Sequence, residues 1–185
     1  MKPDIEELWC ALEHLIDQWT QFGGMQAQID IAKFLEKNCS NGEFLDFAYK
    51  QIMECWRLGS VKDADMRYQV LWEMLMHERR WRKVEFLKRE DLAIWVREQW
   101  NNLLQSRLSI RRSNFKDGDR YNCVVAFKQS LSLQLILCLS QISTETALKQ
   151  LEEMRMVCLD SDIKDIEHYA AELKDRVAQR KTSKS

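Results

Sequence analysis

The stretch "SLSLQLILCLS" at residues 130–140 decides the fold class, because it places leucine at every second position from Leu131 to Leu139. Strict alternation of this kind is typical of a half-buried β-strand. Leucine, however, is a strong helix former, and Ile136 is the only β-branched residue in the stretch. A lone strand would also leave its backbone hydrogen-bonding groups unpaired, and no other segment alternates convincingly. We therefore predict one helix over residues 121–142.

This predicted helix is too polar in places to be a membrane segment. Lys128, Gln129 and Gln134 interrupt its apolar part, which is too short to span a bilayer of about 30 Å. Leucines lie around most of its circumference, and a helix that is apolar on all sides must be surrounded by other helices. We expect it to be the core of a bundle or a dimer seam, without membrane association.

The composition favours an all-α protein. The 185 residues include only five Gly and one Pro, which are the residues that turns and hairpins use most. With 45% hydrophobic residues, including seven Trp and seven Phe, the chain is too apolar to be intrinsically disordered. We predict seven or eight antiparallel helices, packed as a helical bundle or as a short array of helical hairpins. Residues 1–180 are expected to form a single domain, with 181–185 as a frayed tail.

The boundaries of the other helices follow from apolar periodicity and from helix-breaking residues. The first helix is expected to end at Gly23-Gly24, and Ser143 or Thr144 is expected to cap the helix after the leucine-rich one. Ile29 is expected to face the core from the second helix. The second and third helices are predicted over residues 25–37 and 43–58, and a fourth is predicted to begin at Ser60. A break near 81–87 separates it from the fifth helix, and "RRSNFKDGD" at 111–119 is predicted to be a loop. The helix after the leucine-rich one is expected to end near Cys158, and a last helix is expected over 163–180.

Two stretches of the first half repeat with a period of about 36 residues. Placing "LIDQWTQFGGMQAQIDIAKFLE" over "QIMECWRLGSVKDADMRYQVLWE" aligns Gly23 with Gly59. Residues 12–75 thereby resemble the helical hairpins of the tetratricopeptide and pentatricopeptide repeat superfamily, which place a glycine between paired helices. A third copy near residue 95 has no glycine, and no repeat-terminal proline is present. The resemblance implies packed hairpins, and no binding residue is carried over from it.

Charge and cysteine usage indicate an intracellular protein, either cytoplasmic or nuclear. The six cysteines contain no closely spaced pair, and the start "MKPDIEELW" is charged rather than apolar. We therefore expect free thiols in a reducing compartment. The net charge is −1, but residues 1–60 carry about five net negative charges and 61–120 about four net positive ones. Such opposite fields favour docking to a protein partner or self-association.

The sequence offers no set of residues that points to catalysis, a metal or another cofactor. Cys10 and His14 lie one helical turn apart, but a zinc site needs four donors and no second pair stands at ligand spacing. Asp165 and His168 match only half of a carboxylate-bridged di-metal site. The glycines of "QFGGMQ" lack the lysine and the spacing of a phosphate-binding loop. We predict a non-enzyme without a cofactor.

One segment, "HERRWRKVEFLKRED" at residues 77–91, combines basic and aromatic residues. Such a mixture meets an acidic partner surface, or clamps phosphates and stacks on bases. The ordinary alternative is a solvated helix face, because four acidic residues are interspersed among the basic ones. The predicted partner-binding residues are Arg79, Arg80, Trp81, Arg82, Lys83, Lys88 and Arg89.

These observations predict an intracellular, non-enzymatic adaptor or assembly subunit that binds protein partners through a helical surface. The surplus of aromatic residues and methionine agrees with this, because helical proteins use both at interfaces, although an ordinary core explains the same surplus. A homodimer or a hetero-complex is expected rather than a monomer. The alternative function is nucleic-acid binding through residues 79–89.

Overall fold

The protein is built from helices, as the composition predicts. The structure, a computed structural model, describes residues 4–56, 61–81, 89–105, 117–158 and 160–182. Within these ranges the chain forms eight helices and no strand, so the all-α prediction is confirmed. The chain divides into two compact units, Met1–Lys88 (unit 1) and Arg89–Ser185 (unit 2). Whether the two units together behave as the expected single domain stays a prediction.

Unit 1 contains four helices that pack around shared apolar faces. α1 contacts each of the other three helices, and α4 does the same. The faces that meet are lined by buried residues such as Leu12, Ile16, Phe44, Leu71 and Met74. The helices are α1 (Ile5–Phe22), α2 (Met25–Asn38), α3 (Gly42–Cys55) and α4 (Val61–Trp81).

Local sequence signals determine where the first helices begin and end. The side chain of Asp4 accepts a hydrogen bond from the backbone N–H of Glu6, so it caps α1 at the positive end of the helix dipole. Gly23 and Gly24 follow α1 with φ angles of 67° and 104°, which favour glycine. Asn41 caps α3 by accepting from two backbone N–H groups. The predicted break at Gly23-Gly24 is confirmed.

Two details of unit 1 differ from the sequence expectation. α3 ends at Cys55 rather than Leu58, because Trp56 leaves the helix with an extended backbone (φ −73°, ψ 128°) and reaches α1. Ile29, expected to face the core, is 39% exposed, while Ile31 is buried in its place. The helical phase of α2, which packs against α1 and α4, is therefore set by Ile31 and Leu35, which are buried and lie one turn apart.

Unit 2 also contains four helices, and the leucine-rich helix contacts every one of the others. The helices are α5 (Glu90–Gln105), α6 (Asp117–Gln141), α7 (Glu145–Arg155) and α8 (Asp160–Thr182). Every residue from Leu131 to Ile142, which covers the C-terminal part of α6 and the residue after it, is buried or half-buried. The prediction that "SLSLQLILCLS" is a helix is confirmed, and the helix is covered on all sides from Leu131 onward, while Ser130 is exposed.

Among the ends of the helices in unit 2, one predicted boundary is confirmed and three are wrong. Thr144 caps α7, and its hydroxyl accepts from the backbone N–H of Ala147 at 3.1 Å, as predicted. α6 already begins at Asp117, within the predicted loop, because acidic residues at 117 and 119 suit a helix N-terminus. α7 ends at Arg155 and α8 begins at Asp160, so the turn between them lies earlier than expected.

Candidate partner-binding surface

The predicted basic segment falls at the end of α4 and the start of α5. Arg79 and Arg80 lie in the last turn of α4 with exposed side chains. Positive charge there interacts favourably with the negative end of the helix dipole. Trp81 is the last residue of α4, and Arg89 is half-buried, with its carbonyl accepting from Ala93 N–H at 2.9 Å. Arg82, Lys83 and Lys88, and the side chain of Trp81, lie outside the described residues.

The opposite side of the same turn of α4 is anchored in the core. Glu78 is buried there, and its carboxylate acts electrostatically on Cys39 at the C-terminal end of α2. Burial, followed by the charges of Glu78 and Glu73, raises the pKa of the Cys39 thiol to about 12. Cys39 is thus a protonated thiol in the core. Arg79 and Arg80 are exposed next to Glu78, whose side chain is buried in that core.

A second exposed feature lies at the turn between α1 and α2. Phe22 is 81% exposed and Met25 is 77% exposed, one on each side of Gly23-Gly24. Ile29 lies one helical turn after Met25, on the same face of α2. We call Phe22, Met25 and Ile29 the α1–α2 patch. Sequence reasoning missed this patch, although large apolar residues on both sides of a double-glycine turn are a signal that could have found it.

Unit 2 has a comparable but smaller feature at the turn after α7. Met156 is 83% exposed and Val157 is 60% exposed. Beside them, Arg155 forms an ion pair with Glu167 of α8 at 2.6 Å. Met156 and Val157, which we call the α7–α8 pair, resemble the α1–α2 patch in exposure and in position at a turn. They lack an aromatic side chain and a third apolar residue one turn along a helix.

A group of charged and aromatic residues in unit 1 surrounds Trp56. Its indole N–H donates to Glu13 Oε1 at 2.7 Å, and Arg67 Nη1 lies 3.0 Å from both oxygens of the same carboxylate. The Arg67 guanidinium also lies over the Trp56 ring, 4.9 Å from its centroid, and reaches Asp17 at 3.7 Å. Trp9 contacts Trp56 with ring centroids 6.1 Å apart. This cluster ties α1, α4 and the end of α3 together.

The residues considered for metal binding lie in ordinary surface positions. Cys10 and His14 are both exposed, and the His14 ring is hydrogen-bonded to Gln18 at 3.0 Å. His168 is exposed, and its Nε2 lies 3.4 Å from Oε1 of Glu172, one helical turn further along α8. In the part of the chain that the structure describes, no three His, Cys, Asp or Glu residues are grouped so that they could hold a metal ion.

Comparison with protein families, curated proteins and solved structures found no match to this chain. None of the described helices combines the length and the apolar composition needed to cross a membrane. The described geometry therefore offers two exposed features of unit 1, the α1–α2 patch and the arginine pair at the end of α4, as candidates for contact with a partner.

Proposed function

We propose that this protein is an intracellular, non-enzymatic adaptor or assembly subunit, which binds a protein partner through an exposed helical surface of unit 1. The observation that carries the proposal is the exposure of the α1–α2 patch. Phe22 is the only exposed phenylalanine among those whose side chains the structure describes. A single exposed apolar residue is common on protein surfaces, whereas two of them more than three-quarters exposed at one turn, followed by a third, call for an explanation.

The chemistry of the patch suits a protein partner. Aromatic side chains and methionine are enriched at protein interfaces, where an aromatic ring supplies a large contact area and methionine adapts to irregular surfaces. The neighbouring residues Gln21 and Gln26 give the patch a polar rim of the kind that surrounds an interface core. Elsewhere on unit 1, the exposed Arg79 and Arg80 in the last turn of α4 carry positive charge, which steers a partner with an acidic surface more than it adds affinity.

The buried thiols Cys39 and Cys138 are unsuited to act as nucleophiles, which agrees with the proposed non-enzymatic role. A cysteine nucleophile reacts as a thiolate, so it needs a lowered pKa. Burial instead raises the pKa of both Cys39 and Cys138 well above the ordinary range of a thiol. The Glu13 carboxylate is held by Arg67 and Trp56, which indicates a role in packing.

A pull-down with the full chain as bait tests the proposal. The bait is compared with the double variant Phe22→Asp/Met25→Asp and with the control Met156→Asp/Val157→Asp, which changes two exposed apolar residues at a turn of unit 2. Lysate is used with and without nuclease, and circular dichroism verifies that both variants stay helical. We expect a partner that survives nuclease, binds the control variant and is lost from the patch variant. A partner that binds the patch variant as well as the wild type contradicts the proposal.

Nucleic-acid binding through residues 79–89 is the second candidate, favoured by the exposure of Arg79 and Arg80 in the last turn of α4. Phosphate contacts make affinity fall steeply with salt, by a factor that grows with each neutralised phosphate. Fluorescence anisotropy with a single-stranded oligonucleotide at low and moderate salt measures this fall.

The charge-reversal variant Arg79→Glu/Arg80→Glu decides between phosphate binding and a solvated helix face. Its matched control is Lys33→Glu/Lys37→Glu, an exposed pair on α2 with the same change in charge. Nucleic-acid binding predicts that the first variant loses affinity and has a shallower salt dependence, while the control does not. Equal behaviour of the two variants excludes a specific role of the arginine pair.

A further inference from the structure

We draw no further inference here: the strongest candidate, the exposed apolar patch of Phe22, Met25 and Ile29 at the turn between α1 and α2, belongs to the surface already described, and nothing in the structure shows what covers it.

Discussion

Trp56 in unit 1 and Trp100 in unit 2 are both buried tryptophans with a guanidinium over the ring, yet their indole N–H groups meet different acceptors. Trp56 donates to the carboxylate of Glu13 at 2.7 Å. Trp100 donates to the hydroxyl of Ser132 at 2.8 Å, in a fully buried contact between α5 and α6. The indole N–H of the tryptophan thus has a charged acceptor in unit 1 and a neutral acceptor in unit 2.

The arginines over the two rings differ in the same way. Arg67, over Trp56, is paired with the Glu13 carboxylate, and both side chains keep part of their surface in water. Arg97, over Trp100 at 4.7 Å, donates instead to the neutral side chain of Asn101. Burial lowers the pKa of Arg97 below its usual value, and the negative charge of Glu153 acts in the opposite direction.

The difference shows how the two indole N–H groups are satisfied in surroundings of different polarity. A carboxylate is tolerated beside Trp56 because a guanidinium and some solvent remain within reach. Beside Trp100 the surroundings include the fully buried leucines of α6, where an ion without a partner would be strongly destabilising. A serine hydroxyl satisfies the indole there without introducing charge.

The substitution Leu135→Asp should destabilise unit 2 most. Leu135 is fully buried in α6, and an aspartate there has no charged partner, so the free energy of unfolding should fall by several kcal/mol. Urea unfolding followed by circular dichroism measures the change. The control Ser130→Asp introduces the same carboxylate at an exposed position of the same helix and should change stability by about 0.5 kcal/mol or less. Equal effects of the two variants would show that Leu135 is exposed.

The substitution Glu13→Ala should have the next largest effect, because it removes the shared acceptor of Trp56 and Arg67. Hydrogen bonds to charged groups contribute about 1.5–3 kcal/mol each, and the partly exposed position lowers the loss to about 2 kcal/mol in total. A double-mutant cycle with Arg67→Met should show coupling between the two residues. Additive effects of the two substitutions would mean that the ion pair does not contribute.

The substitution Ser132→Ala should have a smaller effect, about 1 kcal/mol, because it removes one neutral hydrogen bond to Trp100. Salt distinguishes the two units more sharply than this magnitude does. Salt at about 1 M shortens the Debye length to about 3 Å and weakens attraction between charges that keep part of their surface in water, as Glu13 and Arg67 do. The loss on Glu13→Ala should therefore shrink, while the loss on Ser132→Ala stays the same. Equal salt dependence of the two variants would contradict the contrast between a charged and a neutral acceptor.

The buried thiols of the two units, Cys39 and Cys138, should react alike. Neither thiol should lower the free energy of unfolding at neutral pH. Cys39 and Cys138 should resist alkylation until the protein unfolds, whereas the exposed Cys10 and Cys55 should react at once. The folded pKa of Cys39 is raised to about 12, so its contribution to stability is complete below the ordinary thiol pKa near 9. That contribution is lost progressively as the pH rises from about 9 to about 12. Rapid native labelling of Cys39 or Cys138, followed by mass spectrometry, would contradict their burial.

Most helix positions could be predicted from the sequence because local signals determine them. The leucines of α6, the glycines at 23–24 and Thr144 act through propensity, backbone freedom and capping, which depend on near neighbours in the chain. The early end of α3 was missed because Trp56 leaves the helix for a contact with Glu13, 43 residues away. No local pattern contains that information.

The candidate surface was less predictable than the fold. Arg79 and Arg80 are exposed as charged residues generally are, so their placement agrees with the sequence analysis without testing their role. Ile29 was placed on the wrong face because Ile29 and Ile31 both fit an apolar stripe, and only packing against α1 and α4 selects Ile31. The α1–α2 patch was missed although its apolar residues lie on both sides of a double-glycine turn, because that signal gives only their position in the chain, whereas the exposed fraction of Met25 depends on the tertiary packing.

Native-state hydrogen exchange tests the central claim, that the alternating leucine stretch is a helix enclosed by the other helices of unit 2. The backbone amides of residues 131–141 should exchange more slowly than any other part of unit 2, because they are hydrogen-bonded within a buried helix. The amides of the first turn of α2, beside the exposed Met25, should exchange rapidly. Exchange within residues 131–141 as fast as in that first turn would contradict the account.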